Sequence, residues 1–142
     1  MKSIAYKDGY KYQLKESYTL KTHLTPPVAI TTEYIQLTTD GTLWIKKGYA
    51  WDGASGPAIN TLSFRRGSLV HDALYQLIRG DHLDREKHRK VADEIMREIC
   101  KKDGMCTLYN WVSYQVVRWF GGSCAVSAAE RPLLHAPDEC AP

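Results

Sequence analysis

The sequence predicts an α+β fold: a β-rich N-terminal part, built of antiparallel hairpins or a small sheet, followed by three helices of which the first two form an antiparallel pair. Three observations predict it. Apolar and polar residues alternate on both sides of Asp40-Gly41, a glycine-rich stretch then interrupts all periodicity, and three segments of helical period follow, each ending at a glycine.

The β-rich part spans residues 1–47. Alternation runs through Tyr12-Gln13-Leu14-Lys15 and again through Tyr34-Ile35-Gln36-Leu37. Asp40-Gly41 stands between Ile35/Leu37 and Leu43/Ile45, where an Asp-Gly pair supplies the positive φ angles of a tight hairpin turn. Pro26-Pro27 breaks the preceding stretch, so residues 12–24 form a separate strand or an edge pair. From Gly48 to Pro57 three glycines and a proline fall within ten residues, which fits neither helix nor strand and predicts a shaped loop over residues 48–60.

Helical patterns follow over about 65–79, 85–102 and 107–120, with Asp84 as the N-cap of the second and Gly80, Gly104 and Gly121 at the three stops. Val91, Ala92, Ile95, Met96 and Ile99 make one apolar stripe; Leu108, Trp111, Val112, Val116 and Trp119 make another, and both are read as core. Residues 1–121 read as one domain, and residues 122–142, rich in Ala, Ser and Pro, as a loosely held extension.

Composition narrows the function classes only a little. Hydrophobic residues at 44% and charged residues at 25% exclude collagen-like, coiled-coil and disordered chains. No run approaches the ~18 apolar residues of a membrane span, and Met1 to Leu14 lacks a signal-peptide core, so the expected location is the cytoplasm in which the chain is made. Cys100, Cys106, Cys124 and Cys140 form no C-x-x-C pair, which argues against zinc; reduced thiols are expected, with a Cys124–Cys140 bridge left open. The formal charge is +3, and the basic clusters Lys46-Lys47, Arg65-Arg66, His88-Arg89-Lys90 and Lys101-Lys102 read as solvated surface. They lack interleaved aromatic residues, so nucleic-acid binding ranks last.

The residues able to carry chemistry lie on the first two helices. His71, Asp72 and Tyr75 group on the flank of the first helix, where Tyr75 is within one turn of both others. The short link from Gly80 to Asp84 favours an antiparallel pair, and His71 lies 9 residues before it while Asp93 lies 9 residues after it. Equal reach puts the two at one height, each at the edge of its apolar stripe. A His–Asp hydrogen bond would fix the imidazole tautomer and leave the other ring nitrogen free to take a proton from water, the role of a general base. Asp72 and the backbone carbonyls of the 48–57 loop are the hard oxygen donors that Ca2+ prefers. The plainer reading is a satisfied polar pair on packed helices, with Tyr75 and Trp51 as packing residues. Ser55 is not in a Gly-x-Ser-x-Gly elbow and is not read as a nucleophile.

Two resemblances add to this. Gly48-Tyr49-Ala50-Trp51-Asp52-Gly53-Ala54-Ser55-Gly56-Pro57, His71-Asp72-Ala73-Leu74-Tyr75, Arg89-Lys90-Val91-Ala92-Asp93 and Val117-Arg118-Trp119-Phe120-Gly121 follow one another over half the chain. In that order they resemble the bacteriophage and prophage family catalogued as domain of unknown function 1353, which implies a phage origin, hence host cytoplasm or virion, and does not itself point to any activity. His71-Asp72-x-x-Tyr75 followed by Ala92-Asp93 is similar to the catalytic helices of phospholipase A2, and the 22-residue step from His71 to Asp93 suits its compact forms.

That second resemblance implies a lipid-ester hydrolase acting on phospholipid or a membrane surface. His71 would be the base, Asp93 its orienting partner and Tyr75 a brace, with Asp72 and the loop residues Trp51, Gly53 and Ser55 holding Ca2+. The chain departs from that family in reading Gly53-Ala54-Ser55-Gly56-Pro57 where a Gly-Pro-Gly-Asn loop is usual, in lacking its cysteine framework, and in placing a β-region ahead of the helices. The rival reading is a non-enzymatic phage protein, a virion component or a host-interaction or anti-defence factor, in which the same residues form a structural polar network.

Overall fold

The computed structural model describes residues 12–51 and 62–122. The glycine-rich segment beyond Trp51, with Gly53 and Ser55, and the extension with Cys124 and Cys140 lie outside the described residues.

The architecture is α+β, with antiparallel strands in two small sheets followed by three helices. Strands β1 (Tyr12–Gln13) and β6 (Ala50–Trp51) pair with each other. The second sheet holds β2 (Tyr18–Lys21), β3 (Ile30–Thr31), β4 (Ile35–Leu37) and β5 (Thr42–Ile45) in the order β2-β5-β4-β3. The stretch 12–24 therefore divides between the sheets, β1 serving one and β2 forming an edge of the other.

Register follows from alternation. Ile35 pairs with Ile45, Leu37 with Leu43 and with Ile30, and Leu20 with Leu43, so every one of these side chains falls on the same face. Ile35, Leu37, Leu43 and Ile45 are fully buried there and share one hydrophobic cluster with Leu69, Val70, Ala73, Leu74, Leu77 and Ile78 of the first helix. Each such side chain contributes about 1.5–3 kcal/mol by leaving water.

The β4–β5 hairpin forms at the expected place with a different turn. The expectation of positive φ across Asp40-Gly41 is corrected, since of this pair Gly41 alone has it, at 92°. Thr38 N–H donates to the Thr42 carbonyl and Gly41 N–H to the Thr38 carbonyl, a three-residue loop closed by a left-handed glycine. A Cβ on Gly41 would lie 2.3 Å from the Thr22 carbonyl oxygen, which accepts no substitute for glycine.

Helices α1 (Leu62–Arg79), α2 (Arg85–Lys102) and α3 (Thr107–Phe120) complete the described chain. The limits of α2 and α3 match the sequence reading, and the Asp84 carboxylate caps α2 by accepting from Lys87 N–H at 2.9 Å. Helix α1 starts three residues earlier than read, because Phe64 is buried with Met96, Cys100 and Met105, and that burial draws the preceding turn into the helix. After α1 the left-handed residue is Asp81, at φ 60°, one beyond the expected Gly80. His82 N–H donates to Leu77 and Asp81 N–H to Ile78, a bonding pattern that places the left-handed residue there.

Helices α1 and α2 pack closely. A Cβ on Gly67 would stand 2.5 Å from Cys100 Sγ, so glycine permits the approach. The stripe of α2 is core, as read. The stripe of α3 is not, which corrects that expectation: Leu108, Trp111, Val112 and Trp119 are exposed, and Asn110 is the buried residue. Helix α3 turns its Asn110 side to α2, where the Asn110 amide donates to the Arg97 carbonyl at 3.0 Å, and its apolar side to solvent. Among the described residues no helix is long and apolar enough to cross a membrane.

Candidate functional site: a histidine and an aspartate at the helix seam

Equal reach from the α1–α2 turn brings His71 and Asp93 into contact. His71 Nε2 lies 2.7 Å from Asp93 Oδ1, and the Tyr75 hydroxyl donates to the same oxygen, also at 2.7 Å. The His71 and Tyr75 rings tilt against each other with centroids 4.0 Å apart. Asp93 is wholly buried and His71 nearly so. Tyr75 is buried, and its hydroxyl carries the second bond to Asp93.

A further residue completes the network. Arg118 of α3 donates from Nη1 to Asp93 Oδ2 at 2.9 Å, so three helices meet at one carboxylate. The sequence reading did not pick Arg118 as a site residue. The available signal was that it is the only charged residue in the 14 of α3, a helix otherwise free to be apolar. Arg89 of α2 supports it by donating to the carbonyls of Val117 and Arg118 at the end of α3.

The network fixes the tautomer. Asp93 accepts from Tyr75 and Arg118 and is ionised, so His71 Nε2 must carry the proton it shares with Oδ1, and in neutral His71 the lone pair is on Nδ1. Nδ1 faces Asp72 Oδ1 at 3.7 Å, beyond direct hydrogen bonding. Burial pushes the imidazolium down in pKa, but the carboxylates of Asp72 and Asp93 outweigh it and hold His71 above its ordinary value. For Asp93, burial pushes upward, and the bonds from His71 and Tyr75 together with the Arg118 cation bring it below the ordinary carboxylate range. Tyr75 is held above its usual value by burial and by Asp93, so its hydroxyl stays a donor.

Of the two described site carboxylates, Asp72 has solvent access, its side chain 32% exposed, and Asp93 has none. Trp51 closes β6, and its Nε1–H donates to Ser68 Oγ at 3.1 Å, anchoring the chain just ahead of residues 52–61 one helical turn before Asp72. The Trp51 indole thus meets α1 one turn before Asp72; Gly53 and Ser55 lie outside the described residues. Among the described residues no three His, Cys, Asp or Glu side chains group to hold a metal ion. A cation bound by the exposed Asp72 carboxylate would meet a hard oxygen donor, the chemistry of Ca2+ rather than of zinc. Cys100 offers no thiolate, since burial pushes its thiol up to about 11.

A family model described as "Protein of unknown function (DUF1353)" matches residues 28–117, which takes in the β2-less part of the sheet, the first two helices and most of the third. No curated protein and no solved structure matches the chain.

Proposed function

The chain belongs to the family described as protein of unknown function DUF1353, and from the His71–Asp93 pair we propose that it hydrolyses a carboxylic ester of phospholipid type, with His71 as general base. The observation that carries this is the 2.7 Å bond from Nε2 to Asp93, which leaves Nδ1 as the basic nitrogen on the side of the accessible Asp72 carboxylate.

His71 Nδ1 removes a proton from water as the water oxygen bonds to the ester carbonyl carbon. The bond from that carbon to the alcohol oxygen then breaks, and the alcohol leaves with the proton that His71 returns. Asp93 stabilises the imidazolium between these events and holds its ring, Tyr75 and Arg118 hold Asp93, and none of the three need change protonation. Ca2+ would be held by Asp72 with carbonyl oxygens of Trp51, Gly53 and Ser55; when bound it supplies charge stabilisation for the carbonyl oxygen.

Release of fatty acid from phospholipid–detergent micelles in millimolar Ca2+ tests the reading. The wild-type chain is expected to release it and His71→Gln to lose at least about a hundredfold, the usual contribution of a positioned base. No release by the wild-type chain ends the proposal.

One observation favours a second reading, a non-enzymatic role in phage or host interaction. Both oxygens of Asp93 are occupied by donors from α1 and α3, as in a network that pins three helices. Under it, His71→Gln and Asp93→Asn change stability alone, and no esterase activity exists to lose.

A further inference from the structure

Helix α3 presents an apolar stripe to solvent where a helix of a small domain ordinarily buries one. Leu108, Trp111, Val112 and Trp119 recur at spacings of three, one and seven residues on one side, with Val116 between them and Tyr109 beside them. Their exposures run from 42% for Val112 to 71% for Trp119. At about 150–250 Å² for a large aromatic side chain, these residues expose roughly 600 Å². That is at the upper limit of the largest apolar patch on a typical monomer, and with the rim it approaches the about 800 Å² that each partner buries in a standard interface.

We propose that this face is a dimer interface in which α3 packs against α3 of a second copy of the chain. Three features favour that occupant. The stripe follows the three-and-four spacing of helix-on-helix packing, and a two-fold axis through it makes one surface complementary to itself. The only charge on α3, Arg118, is engaged with Asp93, so two copies bring no like charges together. A helix made for a lipid surface carries Lys or Arg beside its apolar side, and α3 has no such residue to spare. The proposal stands apart from the catalytic reading, since it needs neither substrate nor metal. It does reach the site: Arg118 holds Asp93 from this helix, so the dimer would steady the third donor of the network.

Sedimentation of the full chain tests it. The wild-type chain is expected at twice its 16.1 kDa mass at micromolar concentration, the weak end of affinities for interfaces of this size. Its Trp111 and Trp119 emission should move to the blue over the same concentration range. Leu108→Glu with Trp119→Glu should sediment at the single-chain mass with unchanged far-ultraviolet circular dichroism. A wild-type chain of single-chain mass at every concentration overturns the proposal. If that monomer floats with anionic vesicles, the stripe belongs to a lipid surface; if it dimerises only after truncation beyond Gly122, the stripe is covered by the chain's own C-terminal segment. Either outcome also overturns the dimer.

Discussion

Replacing Asp93 with alanine removes the acceptor on which His71, Tyr75 and Arg118 converge. His71 and Tyr75 are buried, so each lost bond leaves a donor that water does not reach, at about 1–3 kcal/mol apiece. The Arg118 side chain is 28% exposed and can turn to solvent, so it adds little. No longer burying a carboxylate offsets part of the cost, and the net loss is expected to be about 2–4 kcal/mol. For a chain of this size that lowers Tm by roughly 10 °C.

The pH dependence carries the same signature. Asp93 is held below its ordinary pKa, so its contribution is present above the unfolded value of about 3.9 and is lost as pH falls through the lower folded value. His71 is held above its ordinary pKa, so its contribution is complete below about 6.5 and is lost as pH rises through the higher folded value. Wild-type stability should therefore form a plateau between about pH 4 and 6.5 with a shoulder on each side, and Asp93→Ala should remove the acid shoulder and reduce the alkaline one, which Asp72 still supports. Thermal and urea unfolding followed by circular dichroism across this range measures it. A loss under about 1 kcal/mol with both shoulders intact would refute the claim that the network carries this energy.

Two other substitutions probe separate features. Arg118→Gln removes the cation 2.9 Å from Asp93 Oδ2, leaving the full negative charge to act on His71; the rising limb of fatty-acid release against pH should move to higher pH, and an unmoved limb would show that Arg118 does not tune the base. Gly41→Ala forces a Cβ to within 2.3 Å of the Thr22 carbonyl at a φ of 92°, so the denaturant midpoint should fall by an amount equivalent to about 2–4 kcal/mol, and a loss below about 1 kcal/mol would mean that the hairpin shifts freely away from β2.

Features set by neighbouring residues were legible before any coordinates. Helix α2 runs between the Asp84 cap and the turn at Gly104 as read, because a side chain three residues from its target N–H and a residue at positive φ act locally. Alternation in Ile35/Leu37 and Leu43/Ile45 was enough to pair β4 with β5 and to choose the buried face. Even the long-range contact of His71 with Asp93 was accessible, since a short link makes two helices antiparallel and equal spacing does the rest.

Where the chain reading and the structure part, a distant neighbour decides. The start of α1 depends on Phe64 finding Met96, Cys100 and Met105, and the turn of β4–β5 on how close Gly41 comes to Thr22. Arg118 becomes part of the site only because α3 crosses α2 beside Asp93, 25 residues away along the chain. Periodicity identified the apolar side of α3 and could not say what covers it. A hydrophobic stripe records that a helix has a side to bury, since burial gains free energy with area and has no direction of its own. Which surface it meets is settled by packing, and in this chain α3 packs through Asn110 and Arg118 and leaves the stripe outward.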